Sequence, residues 1–299
     1  MKRLQLWNHA MTTNTNLTPA EFAHRSFRAH TRCLNRMLRR IESTLGLGEA
    51  LERAYRQHVH CDFIQETQLA DLDRRPVFGP NGAAFWLQMN PLRAARRAGA
   101  GRALPPPGVS AVHENCFLCL ENLAWQQRGL ELPYRFTLAG APCAALPNPF
   151  PFVPVQFTIA TEEHRPQAFE NEADAHAVIA AIVELARRLG PSFMAMMNGE
   201  GAGASIPRHR HFHVWRRWAG SFRWPLETAA RGAQERQTRG VARIPNFPMT
   251  AFVISGASSN VVAVGARLAL EWREFGGPEA SFNLAAAIDA DGQVQIYFT

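Results

Sequence analysis

Residues 198–215 read NGEGAGASIPRHRHFHVW, a run of small residues and then histidines at every second position: His209, His211 and His213. A spacing of two is the period of an extended strand, whose side chains alternate faces. His209, His211, His213 and Trp215 therefore share one face, and Arg210, Phe212, Val214 and Arg216 the other. Neighbours on one face stand roughly 7 Å apart, which is far for three ligands of one metal ion but suits three separate tasks along an extended ligand. The pattern alone leaves three readings: a metal clip, a catalytic strand, or a polar face without chemistry. The preceding loop shifts the balance. Asn198, Gly199, Gly201, Ala202, Gly203, Ala204 and Ser205 are small residues that let backbone N–H groups approach an anion, which favours phosphoryl chemistry over a structural metal.

Working outward, FMAMM (193–197) reads as a short strand. Before it, Asn171 caps a helix with an acidic first turn (Glu172, Asp174) and an apolar face of Val178, Ile179, Ile182, Val183, Leu185 and Leu189, ended by Gly190 and Pro191. Further upstream, YRFTLAG (134–140) and FVPVQFTIAT (152–161) are strand-like runs around a PNPFP turn cluster. FWLQMNP (85–91) reads as a strand ending at Asn90-Pro91, and GAGRALPPPGVS (99–110) as a flexible loop leading into HENCFLCLENL. Near the start, Thr18-Pro19-Ala20-Glu21 predicts a capped amphipathic helical region to about residue 58, with a break near the GLG at 46–48.

Beyond the histidines, 220–245 reads as a linker. Part of the plan then recurs: strand TAFVISG (250–256), a helix over about 259–273, and strands FNLAAAID (282–289) and QVQIYF (293–298) around a DG turn. Strand, helix, strand, strand predicts an α+β fold, with helices docked on an antiparallel sheet. Three segments are expected: an N-terminal tail and helical segment over 1–70, a catalytic half over 71–220, and a linker with a second, smaller half over 221–299.

The chain has 299 residues, 46% of them hydrophobic, and a net charge of +7, so it can bury a core and attract anions. Its arginine pairs are scattered rather than gathered in an arm, and no nucleic-acid module is recognisable, so nucleic-acid binding ranks last. No run of 18 apolar residues predicts a membrane span, and the first residues lack a signal-peptide core. Five cysteines make no disulfide framework and imply a reducing cytoplasm. Cys116-x-x-Cys119 is a common zinc knuckle that needs two further ligands, although redox chemistry or plain burial also explains such a pair.

Together these segments resemble the histidine-triad (HIT-like) superfamily, specifically the branch containing galactose-1-phosphate uridylyltransferase and diadenosine tetraphosphate phosphorylase. The likeness rests on GAS before HxHF, on ENCFLCLEN, on the 148–169 segment NPFPFVPVQFTIATEEHRPQAF, and on LQMNPLRAARR (87–97); TAFVISG and FNLAAAID are a weaker echo of a second half. The resemblance implies an antiparallel sheet of two HIT-like halves, the second reduced, after an N-terminal helical segment. It places the nucleophile at His211, which would form a nucleotidyl-histidine. Phosphate donors would be Asn198, Ser205 and the backbone at Gly203 and Ala204.

By the same resemblance, Cys116, Cys119, His164 and His209 would hold a structural zinc ion; His113, three residues before Cys116, is a rival ligand. Asn90, Arg93 and Arg208 are candidates for substrate binding. The implied substrate is a nucleotide sugar or dinucleoside polyphosphate, the acceptor phosphate or a sugar phosphate, and the assembly a homodimer. The sequence departs from the transferase branch at His213, where Gln is usual. Histidine can protonate a leaving group, so a hydrolase is an alternative. The loop-to-triad spacing is also one residue longer, which leaves an inactive nucleotide-binding or zinc-stabilised module as a further alternative.

Overall fold

A computed structural model describes residues 19–64, 72–78, 84–90, 105–169, 171–217, 224–231, 233, 240–277 and 280–299. Two amphipathic helices come first, α1 (Pro19–Leu45) and α2 (Leu47–His60), and the chain turns between them at Gly46, whose φ of +88° few other residues adopt. Strands β1 (Asp73–Phe78) and β2 (Ala84–Met89) form a separate antiparallel ribbon. After the short helix α3 (Leu120–Leu123) come β3 (Tyr134–Leu138), β4 (Ala141–Pro147), β5 (Phe157–Thr161), helix α4 (Glu172–Leu189), β6 (Phe193–Asn198) and β7 (His211–Arg216). Helix α5 (Pro225–Ala230) and strand β8 (Ala242–Arg243) lead to β9 (Phe252–Gly256), α6 (Ser258–Gly276), β10 (Asn283–Ile288) and β11 (Val294–Phe298).

Strands β3 to β11 make one antiparallel sheet in the order β3-β4-β5-β7-β6-β10-β11-β9-β8. The order contains one connection twice. In β5–α4–β6–β7 the last strand inserts between the first two, and β9–α6–β10–β11 does the same; the halves join where β6 pairs with β10. The second half is reduced, since among the described residues the flank filled by β3 and β4 in the first half holds only the two-residue β8.

Helices α4 and α6 cover one face. The side chain of Asn171 accepts the Asp174 N–H at 2.9 Å and caps α4. All six aliphatic residues of the expected stripe are buried, in one cluster with Phe212, Val214, Leu284, Ile296 and Phe298. Each such side chain contributes roughly 1.5–3 kcal/mol of transfer free energy. Facing away from these helices are His211, His213 and Trp215 of β7, with Met194 and Met196 beside them on β6.

Three strand expectations change. APCAALP forms β4, although alanine and proline mark no strand; small residues suit a strand buried between two neighbours. FVPVQFTIAT is strand only from Phe157, because Gln156 closes a loop by accepting the Phe152 N–H through its side chain and the Asn148 N–H through its carbonyl. The expected linker over 220–245 contributes α5 and β8. Among the described residues, no helix is long and apolar enough to cross a membrane.

His58 on α2 is buried, with Nδ1 2.7 Å from the Ala54 carbonyl and Nε2 accepting the Leu132 N–H at 3.1 Å. Burial pushes its pKa down to about 4, and the Nε2 lone pair that a second ring proton would need is engaged by the Leu132 N–H. The folded state therefore binds this proton less readily than the unfolded chain, whose histidine titrates near 6.5. The stabilisation from neutral His58 is full above pH 6.5 and lost as pH falls toward 4, by up to about 3 kcal/mol. Urea midpoints measured from pH 7 to 4 should fall more steeply in the wild type than in His58→Gln, and parallel curves would refute this.

Candidate functional site

The Cys loop approaches the start of β7 on the sheet face away from α4. Asn122, fully buried, organises it: its side chain donates to the carbonyls of Val112 and Cys116 and accepts the Val112 N–H. The Cys116–Cys119 turn then points both sulfurs at two imidazoles. Sγ of Cys116 lies 3.3 Å from His209 Nδ1, and Sγ of Cys119 lies 3.2 Å from His164 Nδ1 and 3.6 Å from His209 Nδ1. These four ligand atoms all lie within 4.8 Å of one another, so the group can hold a metal ion. A tetrahedral ion with bonds of about 2.3 Å to sulfur and 2.0 Å to nitrogen needs ligands about 3.5 Å apart, close to these three sulfur–nitrogen distances.

The tautomers fit as well. His209 donates from Nε2 to the Thr161 carbonyl at 2.7 Å, so the lone pair on Nδ1 faces the sulfurs, as a carbonyl behind a ligating imidazole requires. A hydrogen bond from the Cys119 thiol pulls the Cys116 thiol down, and Cys119, holding the shared proton, is pushed up. Burial lowers the pKa of His164, which favours the neutral imidazole that a metal ligand requires. His113, the rival ligand, lies outside this group and stacks on His164 with centroids 4.0 Å apart.

The three histidines of the strand thus have unequal settings. His209 precedes β7 in a turn and serves the metal-type group. His211 opens the strand, 1% exposed, and its Nδ1 sits 2.7 Å from the His209 carbonyl. Nδ1 therefore carries the hydrogen, and Nε2 the lone pair. His213 is half-buried, edge-on to His211 with centroids 5.0 Å apart, and its Nδ1 is 3.5 Å from the Thr158 hydroxyl. The β6–β7 ladder pairs Met196 with His213; two further steps of the same register bring Asn198 opposite His211.

The loop after Asn198 curls tightly. The N–H groups of Ala202 and Ala204 turn back to the Gly199 carbonyl, and a Cβ on Gly199 would lie 2.3 Å from the Phe282 carbonyl oxygen. Gly203 and Ser205 are exposed and Ala204 is half-buried. Arg208 is also exposed, 3.0 Å from Glu114. Asn90, at the end of β2, donates to the Pro151 carbonyl at 3.4 Å. Arg93 lies outside the described residues.

Beside His213 the same sheet face opens into a cavity of about 590 Å³. Met194, Met196 and Trp215 form its floor, and Phe85, Trp86 and Phe152 stand among its other walls. Trp215 is buried, yet its indole is part of this cavity's surface, and its Nε1 has no hydrogen-bond partner among the described residues.

Two arrangements carry no sequence signal. Arg210, with a side chain only 5% exposed, meets Asp174 through two contacts of 2.6 and 2.8 Å and also donates to the carbonyls of Pro166 and Ala168. Asp174 reads in sequence as a helix-start acid, and nothing marks its distant partner. Gln167, between those two carbonyls, is buried and hydrogen-bonded to the main chain of His211 and Asn198.

Residues 68–216 match a family model described as a domain of unknown function (DUF4922). No curated protein matches the sequence. Among solved structures the chain is similar to yeast Ap4A phosphorylase Apa2 in complex with AMP, at 11% identity over 82% of this chain and 77% of that one, with a TM-score of 0.50. It is also similar to an ADP-glucose phosphorylase from Arabidopsis thaliana with bound ADP-glucose, at 11% identity over 75% of this chain and 88% of that one, TM-score 0.37. A third is a DUF4931 family protein from Bacillus cereus, at 15% identity over 52% of this chain and 81% of that one, TM-score 0.37. The likeness to the first of these is one of fold alone.

Proposed function

We propose that this protein, which has the histidine-triad-like fold, is a nucleotidyltransferase of the phosphorylase type acting through a covalent nucleotidyl-His211 intermediate. The observation that carries the reading is the imidazole of His211, buried and held by the His209 carbonyl so that Nε2 bears the lone pair. In the first step Nε2 attacks the α-phosphorus of a nucleoside diphosphate sugar or dinucleoside polyphosphate. The P–N bond forms as the bond from phosphorus to the leaving phosphate oxygen breaks, and the electron pair departs on that oxygen. The His209 carbonyl shares the positive charge left on the ring through Nδ1–H. In the second step an oxygen of phosphate or a sugar phosphate attacks the same phosphorus and expels the imidazole.

Asn198, Ser205 and the backbone at Gly203 would stabilise charge on the phosphate oxygens, and the Ala204 N–H would join them by exchanging the Gly199 carbonyl for phosphate. The apolar cavity next to His213 suits the flat, weakly polar faces of a nucleobase. Arg208, engaged by Glu114 at the surface, and Asn90, on the Pro151 carbonyl, contribute to substrate binding in this reading only by exchanging those partners; Arg93 stays a sequence-based candidate for the same task. A homodimer in the cytoplasm stays part of the proposal.

The test is to mix the protein with nucleotide sugars and dinucleoside polyphosphates, quench, and measure intact mass. A nucleotidyl adduct mapping to His211 is expected; no adduct and no turnover with any of them would sink the reading. A hydrolase is the second reading, favoured by His213, which can hand a proton to a leaving oxygen where glutamine cannot. Release of nucleoside monophosphate at an unchanged rate without phosphate would select it.

The Cys116, Cys119, His164, His209 group would hold a structural zinc ion, which would tie the Cys loop to the residue two before the nucleophile. Purified protein should contain about one zinc per chain, and Cys116→Ala should lose it and melt several degrees lower. Below about half an equivalent in undepleted wild type would count against a zinc site.

A further inference from the structure

We propose that Gln167 is a positioning residue that splits the sheet at the nucleophile and fixes the direction of the His211 ring. Its catalytic consequence rests on the reading of His211 given above, whereas its effect on the ring does not.

Antiparallel neighbours normally satisfy one another's main-chain groups. Between β6 and β7 the paired register stops at Met196 and His213. At the next position where bonds would form, the side chain of Gln167 is present instead. Its Oε1 accepts the His211 N–H at 2.8 Å, and its Nε2 donates to the carbonyls of His211 and Asn198, both at 2.9 Å. One carboxamide thus satisfies both main-chain groups of a buried residue and the carbonyl facing it. Paired strands lie about 4.8 Å apart, and an amide bridging them with hydrogen bonds on either side holds them wider. The opening falls where Asn198 faces His211, at the head of the small-residue loop.

Gln167 is itself held firmly. Its N–H donates to the Pro207 carbonyl at 2.8 Å, and the carbonyls on both sides of it accept from Arg210, which Asp174 anchors. It also lines a cavity of about 330 Å³ with Gly199, Ser281 and Phe282, so a shortened side chain leaves space there that water can fill. The His211 ring hangs from two main-chain anchors: the His209 carbonyl at Nδ1 and Gln167 at the peptide groups. A tilt of about 15° in that main chain moves Nε2 by about 1 Å, a displacement that costs on the order of 10²-fold in rate.

The test compares Gln167→Leu, of similar size and without hydrogen bonds, with Gln167→Glu. For Gln167→Leu, kcat and the rate of adduct formation should fall about 10²-fold while KM stays within threefold. Gln167→Glu keeps the acceptor for the His211 N–H but faces two carbonyls with a carboxylate. Its activity should recover toward wild type as pH drops and the acid becomes a donor, a profile that a merely structural role would not produce. ¹⁵N-histidine spectra supply an arm independent of nucleotide chemistry: His211 should show one Nδ1–H tautomer in the wild type and an averaged signal in Gln167→Leu. Adduct rates within threefold of wild type in both variants overturn the proposal. If the wild type forms no adduct, the nucleotidyl reading fails, and the spectra decide this one: an unchanged His211 signal overturns it and a changed one upholds it. If Gln167→Leu does not fold, the pH profile and spectra of Gln167→Glu decide.

Discussion

His211→Ala is expected, on the proposed covalent route, to lower nucleotide turnover by about 10⁴-fold or more and to abolish the nucleotidyl adduct. A covalent route replaces one hard displacement at phosphorus with two easier ones, and alanine offers no nucleophile for the first. The neighbouring groups do not substitute. The lone pair on His209 Nδ1 faces the cysteine sulfurs, and its Nε2 donates to the Thr161 carbonyl. His213 stands edge-on to His211, one strand repeat further along toward the apolar cavity. The variant should keep its metal content, because all four candidate ligands lie outside position 211. Steady-state kinetics with the best wild-type substrate checks this, and residual activity above about 1% of wild type would remove His211 from the covalent role.

Asp174→Ala should cost about 3–5 kcal/mol of folding stability, a large share of what a domain has. The Arg210–Asp174 pair is almost fully enclosed, so removing the carboxylate leaves a guanidinium without its counter-charge in a poorly solvated place. Arg165 lies 3.8 Å from the same carboxylate but is 39% exposed and can turn to water, so most of the cost arises at Arg210. The loss should also reach the candidate site, because Arg210 ties the carbonyls on either side of Gln167. Urea denaturation with unchanged slope and a lower midpoint is the expected result. Replacing both partners with apolar residues of similar volume should recover much of the stability, since it removes two buried charges together. A loss below about 1 kcal/mol in Asp174→Ala would show that the pair is better solvated than its enclosure implies.

What could be read in advance follows physical range. The Asn171 cap, the α4 stripe and the alternation of His211 and His213 are set by bonds and side-chain spacings within a few residues, so they are visible in a linear text. The Cys-x-x-Cys knuckle is local too, and the family likeness supplied its two histidines. Strand β4 was not legible, because its fitness lies in small side chains between two neighbours and not in intrinsic β propensity.

Local spacing along the chain was enough to predict that His211 and His213 alternate along a strand behind a small-residue loop, in an α+β chain with a repeated strand–helix–strand–strand plan; the same spacing put His209 on that strand, whereas it sits in the turn before it. Tertiary packing set the surroundings of each histidine. Folding brings Cys116 to His209 across 93 residues and Cys119 to His164 across 45, and it leaves His113 stacked outside the group. It also sends Arg210 to Asp174 and slots Gln167 between two strands. Strand periodicity assigns a face, but tautomers, ligand sets and buried ion pairs depend on which distant groups packing places within about 3 Å, and no local spacing encodes that.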